Sequence, residues 1–224
     1  MQAMPAKEVI LTILLSILPI PSRGFGMGPP LGACVDMWPK QHGADAQTSD
    51  PPYTITTSKD TYSPGETLTI TVSTTENEDI KFFEGLFVQA RRANCSHKEY
   101  EEAVGTFALP DDETFLGLLH CQGGPNSAVG HIAHAHIVER KFSWTAPASS
   151  VGHIYFRATV ARRQKTFWTK VTSEFIRDPL VSSSPQMCPI QTKETVNTCA
   201  NSATSWNLSC ALILLVMMIW TSKF

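Results

Sequence analysis

Apolar and polar residues alternate with a period of two through the middle of the chain. In residues 67–72, three aliphatic side chains alternate with three threonines, which is typical of a half-buried β-strand. The same period predicts strands over 138–144, 154–160 and 166–173, with Arg157 turned away from the core. No central segment keeps a helical period over ten residues. The pattern therefore predicts an all-β, antiparallel β-sandwich.

The two ends of the chain are apolar, whereas the middle is not. Residues 1–26 contain a lysine, an apolar run too short to span a membrane and then small residues, which is the order of a signal peptide. Residues 180–205 are rich in Ser and Thr and predict a flexible stalk. Residues 206–224 contain an apolar run that predicts either a single transmembrane segment or a cleaved GPI signal. These boundaries leave one domain, 27–179, which we expect at the cell surface, on the extracellular side of the membrane.

Composition and short motifs argue against several classes of function. The formal net charge is only −2, from 18 basic and 20 acidic residues, so no global field favours nucleic acid. The six cysteines fit disulfides in a secreted chain, and none has the C-x-x-C spacing of zinc-ribbon or thioredoxin chemistry. Neither G-x-S-x-G nor H-E-x-x-H occurs, and the acidic run 111–113 follows a proline and is interpreted as a solvated turn. We therefore expect no catalytic activity.

Several short motifs agree in order and spacing with a known extracellular module. They are CVDMWPKQHG at 34–43, YSPGETLTITV at 62–72, FFEGLFVQAR at 82–91, WTAP at 144–147 and GHIYFRATV at 152–160. On these motifs, residues 32–176 resemble the reeler domain of reelin, F-spondin, ferric-chelate-reductase-like proteins and insect defence proteins. The resemblance implies an immunoglobulin-like antiparallel sandwich and a disulfide between Cys34 and Cys121.

The remaining cysteines leave the pairing open. Cys188 and Cys199 can form a second disulfide within the tail, which leaves Cys95 and Cys210 free, modified or in an intermolecular bond. Asn94 begins an Asn-Cys-Ser sequon between two predicted strands. We interpret it as a glycosylation site on an exposed loop.

His131, His134 and His136 form an H-x-x-H-x-H pattern, and imidazoles so close in sequence can bind zinc or copper. Strand alternation places His131 on the face opposite to the other two, and no fourth ligand is evident. We therefore favour surface histidines and expect neither a metal nor a cofactor.

Basic residues gather at the tip of a hairpin predicted over 160–167. Arg162, Arg163 and Lys165 lie there, and such a cluster can bind a sulfated glycosaminoglycan or a bacterial polysaccharide. The favoured alternative is an ordinary solvated hairpin, whose charges keep a sheet edge soluble.

Together these patterns favour a membrane-tethered extracellular binding module for cell-surface, matrix or microbial ligands, among which a protein ligand is a further option. The resemblance also implies an alternative, a redox or metal-handling accessory related to ferric-reductase-like proteins. The chain has no room for the haem-binding domains through which those relatives reduce iron. A third hypothesis is a spacer that assembles through an intermolecular disulfide of Cys95.

Overall fold

A computed structural model of the chain describes residues 28–75 and 82–189. The predicted signal peptide, 1–26, and the apolar segment, 206–224, lie outside these residues. The part of the predicted stalk that is described, 180–189, contains no helix or strand. Within the described residues, no helix is long and apolar enough to cross a membrane.

Nine strands in the described residues form two antiparallel sheets. They are β1 (Tyr53–Thr57), β2 (Thr67–Thr74), β3 (Gly85–Arg92), β4 (Thr106–Ala108), β5 (Leu116–Leu119), β6 (Ala128–His131), β7 (Glu139–Thr145), β8 (Ile154–Arg163) and β9 (Thr166–Thr172). The four-stranded sheet has the order β1-β2-β7-β4, and the five-stranded sheet has the order β5-β6-β3-β8-β9. The predicted all-β antiparallel sandwich is confirmed. All nine strands belong to the compact unit Met1–Met187.

The core between the sheets follows the alternation seen in the sequence. Leu68 of β2 lies opposite Trp144 of β7, and neither side chain is exposed to solvent. The Trp144 indole N–H donates a hydrogen bond to the Val104 carbonyl at 2.9 Å, and its ring meets Phe156 of the other sheet edge-on at 5.4 Å. A buried indole therefore joins the sheets while its one polar atom stays satisfied.

Tyr62 ties together loops that lie far apart in the sequence. It precedes β2 and is buried, and its hydroxyl donates a hydrogen bond to the Gly152 carbonyl at 2.6 Å. The same hydroxyl lies 3.3 Å from a carboxylate oxygen of Asp178, which follows β9. Because a buried hydroxyl needs a partner, these contacts fix the corner of the sandwich.

Residues 28–50, the N-terminal segment, run over the outer face of the five-stranded sheet. The segment contains two short 3₁₀ turns, Leu31–Ala33 and Lys40–His42. Beyond them the Gln47 N–H donates to the Phe167 carbonyl at 2.8 Å, on the edge strand β9. The segment therefore shields both an outer face and a strand edge that would otherwise be exposed.

Candidate functional site

Strands β3 and β8 are buried on both faces. One face lies in the core, and the N-terminal segment covers the polar side chains of the other. In β3 the side chains that face the core are Leu86, Val88 and Ala90, and those that alternate with them are Phe87, Gln89 and Arg91. Except for Arg92, all residues of this strand are buried. The second set therefore forms the surface on which the segment lies.

Arg91 holds the start of the segment. Its side chain is only 2% exposed, and one terminal nitrogen donates hydrogen bonds to the carbonyls of Cys34 at 2.7 Å and Val35 at 3.1 Å. The same nitrogen also donates to the Gln89 amide oxygen. Burial, with a contribution from nearby Arg157, lowers the pKa of Arg91 to about 10. The guanidinium therefore stays charged at neutral pH.

Two side chains of β8 hold the next carbonyls of the segment. Arg157 donates to the Asp36 carbonyl at 2.7 Å, and the Thr159 hydroxyl donates to the Met37 carbonyl at 2.6 Å. The prediction that Arg157 faces away from the core is correct, but the side chain is not exposed to solvent. It is only 4% exposed, because the segment covers it.

Cys34 and Cys121 form the disulfide that the resemblance implies, across 87 residues and with Cα atoms 5.5 Å apart. Cys95 and Cys188 are also disulfide-bonded, so neither carries a free thiol and Cys95 is not left over as expected. The proposed partner of Cys188, Cys199, lies outside the described residues. The second disulfide between Cys188 and Cys199 therefore stays a prediction.

A cleft open to solvent separates part of the N-terminal segment from the sheet. The space that it encloses is about 50 Å³, and the rest of the cleft is open to solvent. Its walls include Met37, Trp38 and His42 from the segment and Gly85, His131 and Ala161 from the sheet. The sequence pattern did not predict this cleft, because it does not show where the N-terminal segment lies.

Two histidines in the wall of the cleft are uncharged at neutral pH. Burial lowers the pKa of both His42 and His131. Nδ1 of His131 lies 3.2 Å from both the backbone nitrogen and the carbonyl oxygen of Leu86, so either tautomer forms a hydrogen bond with the Leu86 backbone. At the end of β6, the His131 side chain therefore bonds to the backbone of β3. The prediction of a surface histidine is wrong for His131, which is half-buried.

The three histidines of the H-x-x-H-x-H pattern have different surroundings. His131 lines the cleft, and His134 is exposed. His136 lies 3.0 Å from a carboxylate oxygen of Glu84 and stacks on Phe82, with ring centroids 3.9 Å apart. In the part of the chain that the structure describes, no group of three or more His, Cys, Asp or Glu side chains is placed to hold a metal ion.

The predicted basic hairpin is present, with β8 and β9 joined by a two-residue turn. Arg163 and Lys165 are exposed at its tip. Arg162 is half-buried, with its guanidinium 5.7 Å from the centre of the Phe82 ring. In the described residues these three cations form no ion pair within 4.0 Å. The hairpin therefore presents two exposed charges and a third that is partly covered.

Two other candidates lie on loops. Asn94 is exposed after β3, and its side-chain oxygen accepts a hydrogen bond from the Ser96 N–H at 3.1 Å, so glycosylation there stays a prediction. In the acidic run 111–113, Glu113 is not solvated as expected. One carboxylate oxygen accepts the Phe115 N–H at 2.6 Å, and the other lies 3.3 Å from Nε of Arg140.

Comparison with known proteins identifies the family. The Reeler domain model matches residues 32–184. The chain belongs to the Reeler domain family. A Bombyx mori protein named as a defence protein is 36% identical over 159 residues, with 70% of this chain and 86% of that protein aligned. A Xenopus laevis protein named as ferric-chelate reductase 1 is 35% identical over 172 residues, with 77% of this chain but only 27% of that protein aligned.

The solved human F-spondin reeler domain aligns with 60% of this chain and 94% of its own, at 19% identity and a TM-score of 0.48. In the Bombyx mori relative the Reeler domain makes up most of the protein, which is consistent with a domain that folds by itself. In the Xenopus laevis relative most of the length lies outside the aligned region. The comparisons therefore support an extracellular binding module in general, without specifying a ligand.

Proposed function

We propose that this protein is a membrane-tethered extracellular binding module that recognises anionic polymers of cell surfaces, the matrix or microbes. The apolar segment 206–224 supplies the tether, and the Reeler domain supplies the binding surface. The relatives named as defence proteins favour recognition of microbial surfaces. The redox alternative is not favoured, because His131, His134 and His136, which could have handled a metal, have separate surroundings.

The observation that carries this proposal is the exposed tip of the β8–β9 hairpin. Arg163 and Lys165 are exposed there, and neither is neutralised by a carboxylate of the described residues. Lys170, on the following strand, is also exposed, at an irregularity in the β8–β9 pairing. Cations that no carboxylate neutralises attract sulfate and carboxylate groups.

Charge reversal at the hairpin tests this proposal. In the secreted chain ending at residue 205, we expect Arg163→Glu with Lys165→Glu to weaken heparin binding by at least about tenfold, since each surface ion pair contributes about 0.2–1 kcal/mol and reversal adds repulsion. Titration calorimetry at low and physiological salt, with heparin and a bacterial polysaccharide as ligands, measures this. Binding should weaken as salt rises.

The matched control is Lys98→Glu with Lys141→Glu, which changes the net charge equally at two exposed lysines away from the hairpin. It should keep most of the affinity. Equal losses in both double variants would assign binding to net charge alone. No binding of either polymer at low salt would exclude a polyanion ligand and point to a protein partner.

A further inference from the structure

The basic hairpin and the point at which the chain leaves the sandwich lie at opposite ends of strand β8. Ile154, the first residue of this strand, pairs with Arg92 at the end of β3. Ala161 pairs with Gly85 at the start of β3, and the hairpin tip follows directly. We call these the exit end and the hairpin end of the domain. The strand has 10 residues, so the two ends are about 30 Å apart at about 3.3 Å per residue.

The last part of the domain is fixed to the exit end. Nε2 of His153, which directly precedes β8, lies 2.6 Å from the Ser183 carbonyl oxygen. The Gln186 N–H donates a hydrogen bond at 2.9 Å to the carbonyl of Ala93, which directly follows β3. The compact unit ends one residue later, at Met187. The chain therefore leaves the sandwich at the exit end, on the side opposite to the basic hairpin.

The two ends also differ in charge. The loop 94–102, which follows β3 at the exit end, contains one lysine and three glutamates. The hairpin tip, 162–165, contains three basic residues and no acidic one. An anionic polymer is therefore attracted at the hairpin end and repelled at the loop. A glycan on Asn94, where one is predicted, would also lie at the exit end and leave the hairpin uncovered.

The proposed tether gives this arrangement a consequence for the ligand. Residues 188–205 join the compact unit to the apolar segment 206–224. A flexible linker of this length has a root-mean-square extension of about 21–25 Å, which is less than the distance between the two ends of the domain. To bring the hairpin to its own membrane, the domain would have to turn over and the linker would have to extend further than this. A surface that faces the membrane is reached without either change.

We propose that the hairpin binds a sulfated or carboxylated polymer held on a surface that faces the cell, and not anionic groups at the surface of the membrane that anchors the protein. The inference rests on the proposed polyanion binding and on the proposed tether, and it adds the side from which the ligand is bound. A protein arranged in this way joins two surfaces, since the tether holds one and the hairpin holds the other.

The same domain with its anchor moved to the hairpin end tests this proposal. Gly28 lies at that end, because a Cβ atom there would be 2.4 Å from the His131 carbonyl oxygen, and the His131 side chain contacts the Leu86 backbone at the start of β3. In the variant, an uncleaved transmembrane anchor and a linker as long as 188–205 precede Gly28, and the chain ends at residue 205. The charges of the domain are unchanged, but we expect the hairpin to face its own membrane.

Both forms are displayed at equal density on cells that make no sulfated glycosaminoglycans. We expect heparin-coated beads to bind the natural chain at least about fivefold better than the variant, because multivalent binding is lost where geometry prevents contact. A short soluble heparin oligosaccharide should bind both forms equally, since it reaches the hairpin in either orientation. Arg163→Glu with Lys165→Glu in the natural chain should weaken the binding of both ligands.

The oligosaccharide separates this inference from the proposed function. Equal bead binding by two forms that bind the oligosaccharide equally would overturn the orientation of the hairpin and leave polyanion binding intact. A natural chain that binds the oligosaccharide but not the beads would do the same, even if the variant does not fold. Oligosaccharide binding by neither form would refute both proposals.

Discussion

Arg91 and Arg157 are buried cations whose partners are backbone carbonyls. Neither forms an ion pair with a carboxylate in the described residues, and Nε of each has no hydrogen-bond partner. Their terminal nitrogens instead donate to the carbonyls of Cys34, Val35 and Asp36. An apolar cover would offer these buried guanidinium groups no carbonyl acceptors, which is costly for a charge without an ionic partner. The polar backbone of the N-terminal segment is therefore a suitable cover for this face, and an apolar helix is not.

We expect the half-buried imidazoles of His42 and His131 to make stability depend on pH. Burial lowers the pKa of His42 and His131 below the ordinary 6.5, so the unfolded chain binds more protons than the folded chain as the pH falls through 6.5. Their contribution to stability is complete above that value and is lost below it. We expect the urea midpoint of unfolding to fall between about pH 7.5 and 5.5.

The variant that isolates this effect is His131→Gln, whose side-chain oxygen can still accept the Leu86 N–H but does not titrate. It should reduce the pH dependence of the midpoint. His134→Gln, at an exposed position, should leave the pH dependence unchanged. A pH dependence that is the same in all three proteins would show that burial of His131 has no part in it.

Sequence reasoning at the residue scale predicted faces correctly and burial incorrectly. The period of two placed Arg157 on the outer face of its strand, as the structure has it. Periodicity reports the face on which a side chain lies and says nothing about what later covers that face. The cover is a segment of turns with no period of its own, so the burial of Arg91 and Arg157 and the cleft beside them could not be inferred from the pattern.

At the scale of the strands, the prediction succeeded for β2, β7, β8 and β9. Strand β2 follows the predicted alternation, with Leu68, Ile70 and Val72 buried. The short strand β4 was not predicted, because only Phe107 of its three residues is buried. Its pairing with β7 brings Gly105 against the core tryptophan, where the chain has a positive φ of 73°.

Replacement of Gly105 by alanine should therefore be strongly destabilising. A Cβ atom there would lie 2.6 Å from the Thr145 carbonyl oxygen and would also overlap the Trp144 indole. We expect a loss of more than about 3 kcal/mol in the free energy of unfolding, measured by urea denaturation. Gly65→Ala is the matched control, since φ is 76° and the space around it is open. It should lose only the backbone strain of about 1–2 kcal/mol, and equal losses would mean that the indole moves aside.

For the molecule as a whole, the sequence supplied the fold and the family through motifs spread over the entire domain. The ligand did not follow from them, because fold does not determine function. Three basic residues adjacent in sequence were interpreted as one patch. The structure divides them, since Arg162 packs over Phe82 while Arg163 and Lys165 remain exposed.

The proposed tether gives a prediction for the full chain in cells. After a high-salt wash the protein should stay with the membrane fraction, and the chain ending at residue 205 should appear in the medium. Release of the full chain by phosphatidylinositol-specific phospholipase C would indicate a GPI anchor, and resistance would indicate a transmembrane segment. Quantitative secretion of the full chain would exclude both modes of tethering.

The position of the N-terminal segment also sets the order in which the protein can be assembled during synthesis. The backbone carbonyls of Asp36 and Met37 accept hydrogen bonds from Arg157 and Thr159, which lie 121 and 122 residues later in the chain. Cys34 is bonded to Cys121, 87 residues later. The N-terminal segment is therefore synthesised before the strands that it covers. Contacts of such long range form slowly. We therefore expect the first part of the domain to be synthesised to be among the last to dock, and Cys34 cannot form its disulfide until more than half of the domain has followed it.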